Sequence, residues 1–222
     1  AGSTTVNLIA FGTPTIEGEY RIGDDARVTT EFLGFLLSYK AQKKSHLYFM
    51  LQDMRPALTA YPSLEYVRGG VEHGRVQAIL EIASNEKYAG ALFCVVRSKN
   101  SPFYYQNGPY DSENDTQTFI KTLLEQEFEV DSKESGNYFS PQVIEEIPDL
   151  RERAEKICQN IAQSFFLDRT TLTKEERQIF LDLYEDELVC LLVTQLEINS
   201  LSFGCKDTAD RSGASVARFV AN

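Results

Sequence analysis

The chain has 222 residues, of which 42% are hydrophobic and 25% are charged, and its net charge is −11. This profile is typical of a folded protein and excludes a largely disordered chain, so we expect one domain over residues 1–222. The acidic balance argues against nucleic-acid binding and against adhesion to an anionic membrane by charge alone, because both require clustered Lys and Arg. A polyanionic ligand therefore needs a local positive site.

Cysteines and histidines are few and widely spaced. The absence of a Cys-x-x-Cys pair favours reduced thiols in a reducing, cytosolic compartment, and we expect Cys94, Cys158 and Cys190 to lie in the core. His46 and His73 lack ligand spacing, so the sequence predicts no metal and no cofactor. No apolar run approaches the roughly 18 to 20 residues that cross a bilayer, which leaves at most a peripheral membrane contact.

Hydrophobic spacing predicts the elements of the first half of the chain. Short strands are expected at residues 6–11 and 19–22, followed by a helix that Asp24 or Asp25 caps. Val28, Phe32, Phe35 and Tyr39 fall at helical spacing along this helix. Buried strands are expected at 46–52 and 91–96, with a mostly helical stretch at 61–88 that breaks at Gly69-Gly70.

The second half of the chain is predicted to be mainly helical. A long polar connection covers residues 98–115, and connections of this length inside a domain are usually functional or mobile. Helices are predicted at 116–128, from Pro141, at 150–166 and, behind a capping box of Thr173 and Glu176, up to about 197. Residues 131–137 should form a loop. A short strand at 200–204 precedes a final helix from about Ser212.

Strands that alternate with helices indicate an α/β fold with a largely parallel central sheet flanked by helices. In such sheets, ligands bind at the carboxyl ends of the strands. The segment that begins at Cys205 follows a predicted strand directly, so it should lie at this edge of the sheet.

Residues 205–213 read Cys-Lys-Asp-Thr-Ala-Asp-Arg-Ser-Gly, with Cys-x5-Arg spacing between a predicted strand and a predicted helix. Backbone N–H groups of a tight loop and of a helix N-terminus form an anion site. Arg211 can hold two phosphate oxygens, and the positive surroundings favour the thiolate form of Cys205 as a nucleophile. The candidate phosphate-binding residues are Lys206, Asp207, Thr208, Ala209, Ser212 and Gly213.

The segment resembles the signature of the protein tyrosine phosphatase superfamily. Within it, the segment is most similar to the inositol-phosphate 4-phosphatase-like branch, which includes phosphatases that intracellular bacteria inject into hosts and which carries Cys-Lys-Ser-Gly-Lys-Asp-Arg-Thr-Gly. The matching residues are Cys205, Lys206, Asp210, Arg211 and Gly213. Ser212 replaces Thr, whereas Asp207, Thr208 and Ala209 depart from Ser, Gly and Lys.

The resemblance implies a phosphatase that acts on a phosphoinositide or a soluble inositol phosphate, as a bacterial effector in host cytoplasm does. Lys206 favours substrates with more than one phosphate, while Ala209 in place of Lys weakens the case for a highly phosphorylated ring. Members of the superfamily generally continue with further helices after this motif. The resemblance therefore also favours a chain that is incomplete at its C-terminus. Nothing in the sequence indicates an oligomeric state.

A phosphatase of this kind needs a general acid within about 3 Å of the leaving oxygen. Proteins that resemble this chain often supply it from a mobile loop after the preceding strand, which here offers Asp111 and Asp115. Because Asp115 is well placed to cap the next helix, Asp111 is the preferred candidate. Asp210 competes as a matched family position, and Asp53 is a weaker option.

Three other interpretations fit the same segment. The chain could be a protein (tyrosine) phosphatase, or a pseudophosphatase module that binds phosphate without turnover, an alternative that Thr208 and the unassigned acid favour. The plainest interpretation is that Cys205 is a buried structural cysteine in a turn.

Overall fold

A computed structural model describes residues 6–9, 13–16, 26–55, 66–98, 115–205 and 215–217, without the side chains of 66–71. The predicted α/β class, with a mostly parallel sheet flanked by helices, is confirmed. The strands are β1 (Asn7–Leu8), β2 (Thr15–Ile16), β3 (Arg27–Val28), β4 (His46–Met50), β5 (Leu92–Arg97), β6 (Asn137–Phe139) and β7 (Ser200–Gly204).

Seven α-helices lie within the described ranges. They are α1 (Thr30–Ala41), α2 (Tyr66–Ala83), α3 (Thr116–Phe128), α4 (Ser132–Ser135), α5 (Pro141–Glu146), α6 (Leu150–Phe166) and α7 (Lys174–Gln195). A 3-10 turn covers Glu86–Tyr88, and residues 215–217 are helical. None of the helices in these ranges is both long and apolar enough to cross a membrane.

The main sheet has five strands in the order β1-β7-β4-β5-β6. Strand β7 pairs in parallel with both β1 and β4, β4 pairs in parallel with β5, and β6 runs antiparallel to β5. The chain thus places a late strand between two early ones. Strands β2 and β3 form a separate antiparallel ribbon that packs against α2.

Both faces of the central strands are buried, which explains why β4 and β5 are continuous apolar runs rather than alternating ones. Side chains of β4 alternate between two clusters: Leu47 and Phe49 pack toward α3, α6 and α7, whereas Tyr48 and Met50 pack toward α1 and α2. We call these the α7 face and the α2 face. They place helices on the two sides of the sheet.

Several predictions in the N-terminal half are wrong. The first helix begins at Thr30 and is capped by Thr29, whose hydroxyl accepts from the N–H of Phe32, so neither Asp24 nor Asp25 caps it. Val28, predicted to lie in that helix, belongs to β3. The spacing of Val28 to Phe32 fits a helical face as well as it fits a strand followed by a cap. The strand expected at 19–22 lies outside the described residues.

Two further predictions, a helix break and a loop, need correction, while others are confirmed. Helix α2 runs through Gly69-Gly70 without a break. The predicted loop at 131–137 contains α4 and the start of β6. The helix behind Pro141 and the capping box of Thr173 and Glu176 are confirmed.

The prediction for the cysteines is confirmed for two of the three. Cys94 and Cys158 are buried, but Cys190 is exposed, because its position on α7 faces solvent although its neighbours are apolar. The four cysteines, all among the described residues, are not joined in disulfides.

A buried polar cluster joins the end of β5 to the helices of the α7 face. Arg97 forms an ion pair with Glu127 of α3, and Tyr184 of α7 donates a hydrogen bond to the same carboxylate. The Arg97 guanidinium also lies over the rings of Phe139 and Tyr184. Burial raises the pKa of Glu127, and the nearby Arg97 opposes that rise. Since losing one partner of a buried pair is costly, this cluster fixes the end of β5.

The His46 ring is buried and shares hydrogen bonds with two serines of β7. Its Nδ1 lies 2.8 Å from Ser200 Oγ, and its Nε2 lies 2.9 Å from Ser202 Oγ. Because burial disfavours the imidazolium, the pKa of His46 falls from its ordinary value of 6.5 to about 3. These contacts give His46 a structural role between β4 and β7.

This depressed pKa predicts that acid destabilises the fold through His46. Below pH 6.5 the unfolded chain binds a proton at this residue while the folded chain does not, so stability declines until the pH approaches the folded pKa of about 3. Between pH 7 and pH 5, the wild-type chain should lose about 2 kcal/mol more unfolding free energy than the His46→Gln variant. Urea unfolding of both proteins at each pH measures this difference, and parallel losses would contradict the assignment.

Candidate active site

The candidate site lies where two adjacent parallel strands, β4 and β7, end at the same edge of the sheet. After β4 the chain passes to α2, and Val76 and Ile79 of that helix pack on the α2 face. After β7 the chain reaches the helical residues 215–217, and Val216 packs on the α7 face. Neighbouring strands whose continuations diverge to opposite faces leave a crevice at their carboxyl ends, which is the usual ligand position in α/β sheets.

Cys205 is the first residue after β7 and lies at this crevice. It is fully buried, and it follows the alternation of Leu201 and Phe203 toward the α7 face. The strand ladder extends past β4, since the N–H of Leu51 donates to the Gly204 carbonyl oxygen at 2.8 Å. The backbone that leads into Cys205 is therefore held by its neighbour strand up to the last residue.

Gly204 allows the Tyr48 side chain to cover the end of β7 from the α2 face. A Cβ atom at position 204 would lie 2.6 Å from Tyr48 Cζ and in still closer conflict with its hydroxyl oxygen. Burial raises the pKa of Tyr48, so its hydroxyl stays protonated. Thr13 and Arg75 are among the groups that surround this hydroxyl.

A hydrogen-bond chain connects the backbone of Cys205 to β4 through the N-terminal segment. The Thr13 hydroxyl donates to the Cys205 carbonyl oxygen at 2.8 Å and accepts from Gln52 Nε2 at 3.0 Å. A carbonyl can only accept, so the single hydroxyl proton of Thr13 points to Cys205 and Gln52 must present its amide group as donor. Gln52 is fully buried, and its Oε1 has no hydrogen-bond partner among the described residues.

The residues after Gln52 form a buried charged turn. Both carboxylate oxygens of Asp53 accept from the Arg55 guanidinium, at 3.0 and 2.7 Å, and the Asp53 N–H donates to Glu72 of α2. His73 bonds to the Met54 carbonyl oxygen through Nδ1. Since Arg55 already occupies both oxygens of Asp53, this carboxylate is poorly suited to the role of general acid.

Of the predicted site residues, the structure places Cys205, Asp53 and Asp115. Asp115 is the N-cap of α3, as expected: its carboxylate accepts from the N–H and the hydroxyl of Thr118 at 2.8 and 2.6 Å. These hydrogen bonds lower the pKa of Asp115, which favours the carboxylate over the acid form that a proton donor needs. Outside the described residues lie Asp111, Lys206, Asp207, Thr208, Ala209, Asp210, Arg211, Ser212 and Gly213.

Sequence reasoning missed three residues of the crevice, namely Thr13, Tyr48 and Gln52. Gln52 carries a readable signal, because a polar side chain that ends a buried strand often faces a ligand site. Tyr48 looks like any other core aromatic of β4. Thr13 approaches Cys205 across 192 residues, and no local pattern indicates that contact.

Charges on the described side of the crevice nearly balance. Arg55 and Arg75 are offset by Asp53 and Glu72, so this side contributes no large positive field. Among the described residues, no three His, Cys, Asp or Glu side chains lie close enough together to hold a metal ion. The described residues on this side of the crevice therefore supply no strong attraction for an anion.

Comparison with protein-family models, with curated proteins and with solved structures gave no match. The function of the chain therefore has to be inferred from its own residues and their placement.

The contact between Gly204 and Tyr48 predicts that a Cβ at position 204 destabilises the end of β7. Gly204→Ala should lower the unfolding free energy by about 1–3 kcal/mol, because a buried aromatic ring must shift to make room. The matched control is Gly34→Ala in α1, where a Cβ would meet nothing within 4 Å. That change should raise stability by about 0.5–1 kcal/mol. Chemical denaturation measures the unfolding free energy of both variants. Equal changes at the two positions would contradict the close packing of Tyr48 against Gly204.

Proposed function

We propose that this protein is a cysteine-dependent phosphatase that hydrolyses a phosphomonoester of a phosphoinositide or of a soluble inositol phosphate. Cys205 is the nucleophile, and residues 206–213 bind the phosphate. The observation that carries the proposal is the position of Cys205, at the carboxyl end of β7 and beside the crevice between diverging chain continuations. A Cys-x5-Arg-Ser-Gly segment begins at this point of the fold and helical residues follow it.

The first chemical step is attack of the Cys205 thiolate on phosphorus. A sulfur–phosphorus bond forms, the bond from phosphorus to the substrate oxygen breaks, and the leaving oxygen takes a proton from the general acid. Arg211 and the backbone N–H groups of the loop neutralise charge on the equatorial oxygens, so this step requires positioning and electrostatic stabilisation above all.

The second step returns the enzyme to its starting state. Water attacks phosphorus, the sulfur–phosphorus bond breaks with its electron pair returning to Cys205, and inorganic phosphate leaves. Ser212 is placed in the sequence to donate a hydrogen bond to the departing sulfur, which stabilises the thiolate. The group that was deprotonated in the first step recovers its proton from the attacking water.

The substrate class rests on residues of the segment and on the charge of the chain. Lys206 adds a cation next to the nucleophile, which favours a second phosphate on the substrate, whereas Ala209 supplies none. A net charge of −11 disfavours long-range attraction to anionic membranes, so a lipid substrate must be recognised through its headgroup. Reduced thiols at all four cysteines suit the reducing cytosol, including a host cytoplasm into which an effector is delivered.

One observation favours a second candidate, a module that binds phosphate without turnover. Cys205 is fully buried, and a nucleophile must be reached by its substrate. In a binding module the segment would still hold an anion through its N–H groups and Arg211, while the sulfur would serve only as core packing. The two functions differ in whether phosphate is released.

Replacing the nucleophile should abolish turnover. Cys205→Ser is expected to lower phosphate release by a factor on the order of 10³ or more, because a serine hydroxyl is a far weaker nucleophile at neutral pH. The panel comprises short-chain phosphoinositides, soluble inositol polyphosphates and phosphotyrosine peptides. Cys190→Ser is the matched control. Because Cys190 is exposed on α7, this substitution should leave the rate of phosphate release unchanged.

The same panel separates the alternatives. Release from peptides alone would replace the proposal with a protein phosphatase. Inorganic phosphate binding that Arg211→Met abolishes, with no release from any substrate, would establish the binding module. Absence of both binding and release would leave Cys205 as a structural cysteine.

The general acid can be assigned by removing one proton donor at a time. Asp111→Asn should lower kcat for an alkyl phosphate about 10²-fold and flatten the basic limb of the pH profile, because the alkoxide then leaves unprotonated. The effect on p-nitrophenyl phosphate should be much smaller, because p-nitrophenolate is a good leaving group that departs without a proton. Asp115→Asn is the control, since Asn also caps helices well. If Asp210→Asn shows this pattern instead, the acid is Asp210.

A further inference from the structure

The N-terminal segment reaches the start of the proposed phosphate-binding segment through one hydroxyl group. Thr13 donates to the carbonyl oxygen of Cys205 at 2.8 Å, across 192 residues of sequence. Residues 13–16 are themselves anchored, because the N–H of Thr29 donates to the Pro14 carbonyl oxygen at 2.9 Å and the β2–β3 ribbon packs on α2. The hydroxyl is therefore held by a folded part of the chain.

We propose that Thr13, oriented by Gln52, is a positioning residue that fixes the carbonyl of Cys205 and thereby holds the backbone of the proposed nucleophile in place. This inference rests on the proposed function. A nucleophile acts efficiently only when its geometry is fixed by the residues around it, and here the hydrogen bond from Thr13 acts on the backbone of Cys205 itself.

The direction of the hydrogen-bond chain supports this role. Gln52 Nε2 donates to Thr13 Oγ1 at 3.0 Å, which leaves the Thr13 proton available to the Cys205 carbonyl alone. The Tyr48 hydroxyl lies in the same group of side chains, above Gly204. Three polar side chains from two distant parts of the chain thus meet at the peptide group where β7 ends.

The burial of Gln52 is unusual for an amide side chain. Its side chain is fully buried and its Oε1 lacks a hydrogen-bond partner among the described residues. A buried acceptor without a partner destabilises the fold, so an apolar side chain of similar size would be more favourable for stability alone. A role in positioning Thr13 explains why a glutamine stands here.

The test compares Thr13→Val with Thr13→Ser. Valine keeps the shape of threonine but removes the hydroxyl, whereas serine keeps the hydroxyl. We expect Thr13→Val to lower kcat for phosphate release about tenfold, with a parallel loss of inorganic phosphate affinity, and Thr13→Ser to restore both to near wild type. Thermal unfolding of each variant accompanies the kinetics.

Gln52→Met provides a second variant, which tests the positioning role if Thr13→Val does not fold. It removes the donor to Thr13 together with the unsatisfied oxygen, so the melting temperature should stay equal or rise while kcat falls severalfold. If the hydrogen bonds from Gln52 to Thr13 and from Thr13 to Cys205 were purely structural, kcat would instead fall only in variants whose melting temperature falls. Unchanged kcat in folded Thr13→Val, or in Gln52→Met when the former does not fold, would overturn the inference.

The two proposals fail in different ways. If the wild-type protein releases phosphate through Cys205 and the Thr13 variants match it, the phosphatase stands and the positioning role is wrong. If the wild-type protein neither releases nor binds phosphate, the proposed function fails and the positioning role fails with it.

Discussion

The structure depends on the insertion of β7 between β1 and β4. This strand comes after all the other described strands in the chain, yet it forms ladders on both of its edges and joins β1 to the rest of the sheet. The sheet is therefore complete only when β7, which follows α7 in the chain, has paired with both neighbours. Non-local pairing of this kind has a high entropic cost before its contacts form, so the two ladders and the packing around them must be closely fitted.

Close fitting is visible on both faces of β7. On the α2 face, Ser200 and Ser202 bond to the His46 ring and Gly204 leaves space for Tyr48. On the α7 face, Leu201 and Phe203 continue the apolar core. Packing of the strand therefore determines where the chain leaves the sheet, and Cys205 emerges at a defined position beside the end of β4. The same contacts that stabilise the fold place the proposed nucleophile.

Elements defined by interactions between residues close in sequence could be predicted, whereas those defined by contacts distant in sequence could not. Strands β4, β5 and β7 and helices α3, α5, α6 and α7 carry their own apolar periodicity or caps, such as the Thr173 capping box, and local pattern was enough to find them. The four-residue helix α4 is too short to show such a pattern. Ribbon β2–β3 has two residues per strand and is defined by its packing on α2, so no local signal exists. Likewise, the motif identifies Cys205, whereas Thr13 becomes a neighbour only through tertiary folding.

Charge determines how such a site would attract its ligand. The segment after Cys205 carries two basic residues, Lys206 and Arg211, and two acidic ones, Asp207 and Asp210, while the whole chain has a net charge of −11. Equal numbers of basic and acidic residues give the segment no net positive charge, and the net charge of the chain disfavours long-range attraction of an anion. In the proposed site, attraction would therefore act at contact, through backbone N–H groups and the Arg211 guanidinium, whose strength depends on geometry. For a site of this kind, the rigidity of the peptide group at Cys205 matters more than the number of positive charges.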